Sequence, residues 1–197
     1  MHLYSNQLTS LPAEIWQLAA LKELYLNGNR MTSVPAEIGQ LTSLKGLGLG
    51  GNQLTSVPAE IGQLTSLERL GLANNNLTSM PEIWQLASLR WLSLDTNKLT
   101  SVPSQIKIGK LTSLKQLNLK HNLLTSVPVE IGQLTSLEGL YLGGNQLTSV
   151  PAEIGQLASL KLLGLDQNEL TSVPAAIRDL RAAGCDVDLD DGVTVDE

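Results

Sequence analysis

The sequence predicts an α/β solenoid, in which stacked coils each contribute a short strand on one side and a short helical or 3₁₀ turn on the other. Three observations predict it. Asn6, Asn29, Asn52, Asn75, Asn97, Asn122, Asn145 and Asn168 recur at intervals of 23, 23, 23, 22, 25, 23 and 23 residues, and self-similarity at such a period marks a repeat architecture. The last seven are each preceded by LxxLxLxxN, as in LKELYLNGN ending at Asn29, and followed by close variants of xLTSxP and usually AEIGQL. The chain is 42% hydrophobic with 3% aromatics and no Phe, so its core is aliphatic and mainly leucine.

Each segment of the unit has a physical reason. In xLxL, alternate side chains leave opposite faces of a strand, so Leu24 and Leu26 go inward while Glu23 and Tyr25 go outward. One coil cannot bury its leucines alone, so neighbouring coils share a single core. The asparagine stands where the strand bends, and its amide can serve backbone groups of its own turn and of the next coil, forming a ladder. In SVPAEIGQL, Pro58 suits a first helical position and Glu60 complements a helix N-terminus. With strands about 4.8 Å apart, the coils form a sheet on the order of 40 Å long.

The repeat domain is expected over residues 1–185. Residues 186–197 form a degenerate capping strand, with Val187 and Leu189 in the inward slots, and a disordered acidic end. At the other end Met1 and Leu3 already hold inward slots with nothing ahead of them. Either the chain is a fragment, or that open end pairs with something; a monomer or a weak homodimer through the uncapped N-terminal end is expected.

The pattern resembles the leucine-rich repeat family, in the class with 23-residue units and a Pro-x-x-Ile segment, and most of all its intracellular Ras-group branch. The resemblance extends over more than nine tenths of the chain. It implies a right-handed horseshoe with a concave parallel sheet, and a non-enzymatic module or scaffold that binds protein, with a small GTPase or a kinase scaffold as partner class. The alternative is the substrate-recognition portion of a larger enzyme, a ubiquitin-ligase effector or a Roco-type GTPase-kinase. Bacterial ligase effectors of this family typically have shorter repeats with a Leu-Pro doublet, from which this chain departs. It departs also from extracellular members with Cys-rich caps: Cys185 is the only cysteine, so an intrachain disulfide is impossible.

Charge narrows the partner class. Of nineteen acids, six (Asp186, Asp188, Asp190, Asp191, Asp196 and Glu197) lie in the tail, leaving thirteen against thirteen bases in the body. A neutral body with an acidic tail does not suit nucleic acid, which needs a basic footprint. MHLYSNQLTS lacks the basic-then-apolar order of a signal peptide, and no apolar run approaches the roughly 20 residues of a membrane span. A cytoplasmic protein without membrane spans is the expectation.

Several chemical motifs dissolve into the repeat. Glu14, Glu37, Glu60, Glu82, Glu130 and Glu153 share one helix-start slot, and the Thr-Ser pairs recur without a base in phase to activate them. Gly46, Gly48 and Gly51 spell GxGxxG, but they occupy a strand rather than the loop that opens a long helix. Asp186, Asp188 and Asp190 begin like a calcium loop, yet Asp191 holds the sixth place where glycine is needed. His2 and His121 lie too far apart for a zinc site, and Cys185 has no neighbouring base. No catalytic, metal or cofactor site is expected.

Partner information must then lie in the outward slots. One reads Glu23, Gly46, Arg69, Trp91, Gln116, Gly139, Leu162; the next, Tyr25, Gly48, Gly71, Ser93, Asn118, Tyr141, Gly164; a third, Asn27, Gly50, Ala73, Asp95, Lys120, Gly143, Asp166. The glycines predict a smooth, shallow face with isolated large groups. Arg69, Trp91, Ser93, Asp95, Gln116, Asn118, Lys120 and His121 fall on consecutive coils, in one patch about 10–15 Å across. Tyr25 and Tyr141 flank it. Two readings of Trp91 compete: the centre of a binding hot spot, or a ring lying flat over Gly71 to shield the sheet. On the convex side MPEIWQL is one residue short, VPSQIKIGKL has two extra, and Trp16 and Trp84 replace the glycine of IGQL. Semi-buried packing of these tryptophans is expected, with a convex contact as the alternative.

Overall fold

The structure, a computed structural model, describes residues 1–103 and 108–197. Its strands are β1 (Glu23–Tyr25), β2 (Gly46–Gly48), β3 (Arg69–Gly71), β4 (Trp91–Ser93), β5 (Gln116–Asn118), β6 (Gly139–Tyr141), β7 (Leu162–Gly164), β8 (Ser172–Val173), β9 (Asp186–Asp188) and β10 (Thr194–Val195). β1 to β7 and then β9 form one parallel sheet in chain order. The register aligns Leu24, Leu47, Leu70, Leu92, Leu117, Leu140, Leu163 and Val187 across it. The second inward row, Leu26, Leu49, Leu72, Leu94, Leu119, Leu142 and Leu165, is completely buried. Parallel strands this short are held by the shared leucine core behind them rather than by their own few hydrogen bonds.

The asparagine ladder forms as expected. Asn97 shows the pattern: its Oδ1 accepts the Leu77 N–H at 3.0 Å, and its Nδ2 donates to Leu72 O and Leu94 O at 3.0 Å each. One side chain thus satisfies an N–H and a carbonyl of the preceding coil and a carbonyl of its own. Asn6, in the first coil of the structure, bonds among the described residues to Leu3 O and Tyr4 O and is exposed. Just before each ladder asparagine the backbone turns left-handed. Gly28, Gly51 and Gly144 do this freely, whereas Ser5, Asn74, Thr96, His121 and Gln167 do so with φ between 52° and 56°. Thr96 is the strained member, because a β-branched residue is disfavoured there.

On the convex side lie 3₁₀ turns, including Ala13–Gln17, Ala36–Gln40, Ala59–Gln63, Val129–Gln133 and Ala152–Gln156. Pro58 stands at the N-cap with ψ of 148°, one place ahead of the first helical position expected for it, and its carbonyl accepts the Ile61 N–H. The glycine of EIGQ is imposed by the neighbouring coil. A Cβ on Gly62 would come 2.8 Å from Glu82 O, and one on Gly132 would come 2.3 Å from Glu153 O. Where Trp16 takes this slot the coils stand apart, and a hollow of about 300 Å³ opens beside Leu11, Trp16, Met31, Pro35 and Glu37. Trp16 and Trp84 are both buried, more deeply than the semi-burial expected, and Trp84 Nε1 donates to Glu82 Oε2 at 2.8 Å. Of the lengthened segment VPSQIKIGKL, residues 104–107 lie outside the described residues; a short 3₁₀ turn, Ile108–Lys110, follows.

The ends close differently. Residues 1–5 run beside β1, with Leu3 N–H on Tyr25 O and Ser5 N–H on Asn27 O, both at 2.8 Å. In the last full coil a helix, α1 (Ala176–Ala182), takes the place of the 3₁₀ turn and buries Ile177 and Leu180. Val187 and Leu189 pack against the core from and just beyond β9. The acidic end expected to be disordered is instead tied down: the Asp190 carboxylate accepts the Gln167 and Asn168 N–H groups, and β10 pairs in parallel with β8.

Two variants test these constraints. Asn97→Ala strands buried backbone groups of two coils and is expected to cost about 1–3 kcal/mol, whereas Asn6→Ala should change stability by less than about 0.5 kcal/mol; urea unfolding followed by circular dichroism compares them. Thr96→Gly relieves the left-handed strain and is expected to gain on the order of 0.5–1 kcal/mol after the added freedom of the unfolded chain is counted, read as a higher Tm.

Candidate protein-binding face

Stacking brings the outward slots of successive coils side by side. The sheet register places Arg69 opposite Trp91, Trp91 opposite Gln116, and Ser93 opposite Asn118, so the expected patch is contiguous. Its side chains do not converge on one another, however. They sort into three local networks around an unpaired tryptophan.

The first network reaches back toward the N-terminus. Arg69 Nη2 donates to Glu23 Oε1 at 2.8 Å, crossing β2 to a strand two coils away. It passes above Gly46, where a Cβ would meet the Tyr25 hydroxyl at 2.9 Å. The Tyr25 hydroxyl first, and the Glu23 carboxylate after it, push the Arg69 guanidinium further up from its ordinary value. Tyr25 also packs against His2, with ring centroids 5.0 Å apart.

In the second network Ser93 Oγ and Asn118 Nδ2 both donate to Asp95 Oδ1, the latter at 3.0 Å. Asn118 Oδ1 accepts the Lys120 backbone N–H at 3.1 Å. Ser93, expected as an exposed contact, is buried at 3% exposure because its neighbours close over it.

The third network points toward the C-terminus. Lys120 Nζ lies 3.4 Å from Asp166 Oδ1, again two coils away, with Gly143 between them. A Cβ on Gly143 would fall onto the Asp166 carboxylate. Asp166 Oδ1 is within ion-pair range but accepts no hydrogen bond among the described residues. The Gln116 amide and the Tyr141 ring lean over Gly139, and the His121 imidazole covers Gly144 in the turn beyond β5. The glycine slots are therefore filled by neighbouring side chains, and the face is paved where the sequence predicts bare backbone.

Trp91 stands apart from all three. The edge of its ring lies 3.4 Å from where a Gly71 Cβ would be, yet the residue remains 40% exposed. Its indole N–H has no acceptor among the described residues. Each of the two competing readings describes part of the side chain: part of the ring lies against the sheet, and the rest is open to solvent. Leu162, at the same slot three strands on, is also 40% exposed.

Residues that the repeat pattern does not single out complete this face: Glu23 and Asp166 as ion partners, Leu162 as an apolar group, and Asp186 and Asp188 on β9. The signal for the first two is present as Glu23–Gly46–Arg69 and Lys120–Gly143–Asp166, opposite charges flanking a glycine at one slot. GxGxxG lies in and just beyond β2, in the strand setting expected for it. Burial first, and the Asp186 carboxylate second, push the Cys185 thiol up, which lowers its thiolate fraction. Among the described residues no group of three or more His, Cys, Asp or Glu could hold a metal ion, and no helix is long and apolar enough to cross a membrane.

A charged row borders the sheet at the residue ahead of each of β1 to β7. Lys45 Nζ meets Glu68 Oε1 at 3.0 Å, and Glu138 receives Lys115 at 2.7 Å and Lys161 at 2.9 Å. Hydrogen bonds from Lys115 and then Lys161 lower the Glu138 carboxyl from its ordinary 4.5 to about 2.

The chain belongs to the leucine-rich repeat family. The family model described as a leucine-rich repeat region matches residues 1–102 and 72–182. Among solved structures, the chain is similar to a leucine-rich repeat protein of Leptospira interrogans, with 41% identity and a TM-score of 0.88, over 98% of this chain and 48% of that one. It is similar to the ectodomain of a plant membrane receptor kinase from Arabidopsis thaliana (34% identity, TM-score 0.80, 95% of this chain and 24% of that one). It is also similar to an internalin from Listeria monocytogenes (29% identity, TM-score 0.77, 92% and 51%). The chain thus spans about half the length of the Leptospira protein. No curated protein matches it significantly. These relatives correct the expected branch: they are bacterial proteins and a plant receptor ectodomain, not Ras-group proteins.

Because the folded form lowers the Glu138 carboxyl, its ion pairs favour folding at neutral pH, and that contribution is lost as pH falls from 4.5 toward about 2. Carboxyl NMR should find the Glu138 midpoint near 2, and the double variant Lys115→Ala, Lys161→Ala should return it toward 4.5. High salt should produce part of the same change by screening.

Proposed function

We propose that this chain is a non-catalytic protein-binding module that takes a folded partner or peptide on its concave face, with Trp91 as the anchor. One observation carries the reading. Near the middle of a face whose charges are largely paired internally, Trp91 offers an open ring and an indole N–H with no acceptor among the described residues. A large amphipathic ring in a polar surround is the composition of an interface hot spot. Burial of the remaining ring adds apolar contact, while neighbours already held in place lose little freedom on binding.

The similar Arabidopsis ectodomain is in complex with Casparian strip integrity factor 2, which supports partner capture by this fold. A small GTPase or kinase-scaffold partner rests on the Ras-group resemblance and loses its support with it. A second reading, the recognition portion of a larger enzyme, draws on the similarity to the ectodomain of a receptor kinase. Both readings give Trp91 the same role.

Trp91→Ala should reduce capture of partners from extracts of the source cell by about tenfold or more while changing stability by about 1 kcal/mol or less. Leu94→Ala is the contrasting control, expected to lose roughly 2–5 kcal/mol through a core cavity. Equal capture by Trp91→Ala and the parent protein, measured by quantitative mass spectrometry, would remove Trp91 from the interface.

A further inference from the structure

At the C-terminal end of the same face, β6, β7 and β9 enclose a hollow of about 140 Å³. Its floor is Leu163 and Gly164, and its sides are Lys120, Tyr141, Leu162, Asp186 and Asp188. The sheet register sets Leu162 beside Asp186, and Gly164 between Tyr141 and Asp188. Gly164 leaves the floor open: a Cβ there would lie 3.5 Å from Lys120 Cε and 3.6 Å from Asp166 Oδ1.

The charge of this hollow is unbalanced. Lys120 is engaged with Asp166. Asp186 and Asp188 are exposed, and their carboxylates have no ion pair or hydrogen bond among the described residues. Counting Lys120, Asp166, Asp186 and Asp188, one positive charge faces three negative ones. Bordering it, Asp166 Oδ1 is buried and has no hydrogen-bond donor among the described residues. Beside these acids, Leu162 and Tyr141 provide apolar and aromatic wall. Aliphatic and aromatic surface next to two unpaired carboxylates fits a side chain with an alkyl stem and a cationic head.

We infer that this hollow is a subsite for an arginine or lysine side chain of the bound protein, arginine being favoured because its planar fork can meet both carboxylates. The stem lies along Leu162 and Tyr141, and the guanidinium donates to Asp186 and Asp188. The inference rests on concave-face binding but not on Trp91. It gives the partner a chemistry, a basic residue set beside the segment that covers the tryptophan.

The test uses a short probe and the whole chain. Acetyl-Leu-Arg-amide and its citrulline analogue, equal in shape but neutral, are titrated while the Gly164 amide and Leu162 methyl resonances are followed. The arginine peptide should shift both sets saturably and bind roughly fivefold or more tighter than the citrulline peptide. Asp186→Asn with Asp188→Asn should remove that preference, and Leu162→Ala should weaken both peptides. Trp91→Ala should leave the titration unchanged, which separates this subsite from the tryptophan contact. Equal binding of the two peptides, shifts confined to other residues, or an arginine preference that survives the double asparagine variant would each overturn the proposal.

Discussion

The fold depends on one requirement: each coil must have its turn-side backbone groups satisfied by the coil that follows. A strand of three residues ends in a tight turn, where N–H and carbonyl groups face the interior without a partner. The asparagine amide supplies one acceptor and two donors, and each is used: Asn52 takes the Met31 N–H and gives to Leu26 O and Leu49 O. A shorter side chain cannot reach the previous coil, and a carboxylate has no proton to donate. The left-handed residue before each asparagine directs the amide inward. The strain at Thr96 shows that this geometry is imposed even where the residue type resists it.

The same stacking governs the outer face. At a spacing of about 4.8 Å, large side chains at equal positions on adjacent strands crowd one another, and many of them lean over a neighbouring glycine. Tyr25 and Asn27 lie over Gly48, Asp166 over Gly143, and the ring of Trp91 against Gly71. An ion pair such as Arg69–Glu23 then joins strands two coils apart across the intervening glycine. Glycine on this face is the space into which a neighbour folds, and its weak strand propensity is offset by the packing of that neighbour over it.

These two constraints explain which features are legible in the sequence. Leu24, Leu26, Asn29 and their equivalents can be placed because their roles are set by period alone: two along the strand and 23 along the chain. The outward direction of Ser93 is equally legible, but its burial is not, since Asp95 and Asn118 close over it from two different coils. Direction follows from period, whereas cover depends on which way each long side chain leans. Arg69 falls in the expected patch by its direction, but its lean carries it to Glu23 and away from Trp91. Leu162 and Asp186 are each visible in the sequence, one in an outward slot and the other in an acidic run, but their meeting across β7 and β9 is not, because a strand that ends the sheet has the letters of a cap. The Ras-group expectation fails differently. The repeat letters that identify the fold are imposed by stacking in any branch, so they say little about which branch this is.

Trp91 and Trp16 show how one side chain has opposite consequences on the two sides of the coil. On the convex side the glycine slot is closed by backbone, since a Cβ on Gly132 would fall 2.3 Å from a carbonyl oxygen. Carbonyls of the next coil cannot lean aside, so Trp16 is accommodated by separating the coils and is buried in doing so. On the concave side the neighbour at Trp91 is Gly71, which leaves a shelf for part of the ring. The indole keeps its exposure because nothing in the next coil needs that volume: Gln116 bends toward Gly139 instead. Whether an aromatic becomes core or contact surface is thus decided by the residues 22 to 25 positions away. A repeat protein can acquire a binding group by changing one outward letter, provided that the adjacent coil holds a glycine.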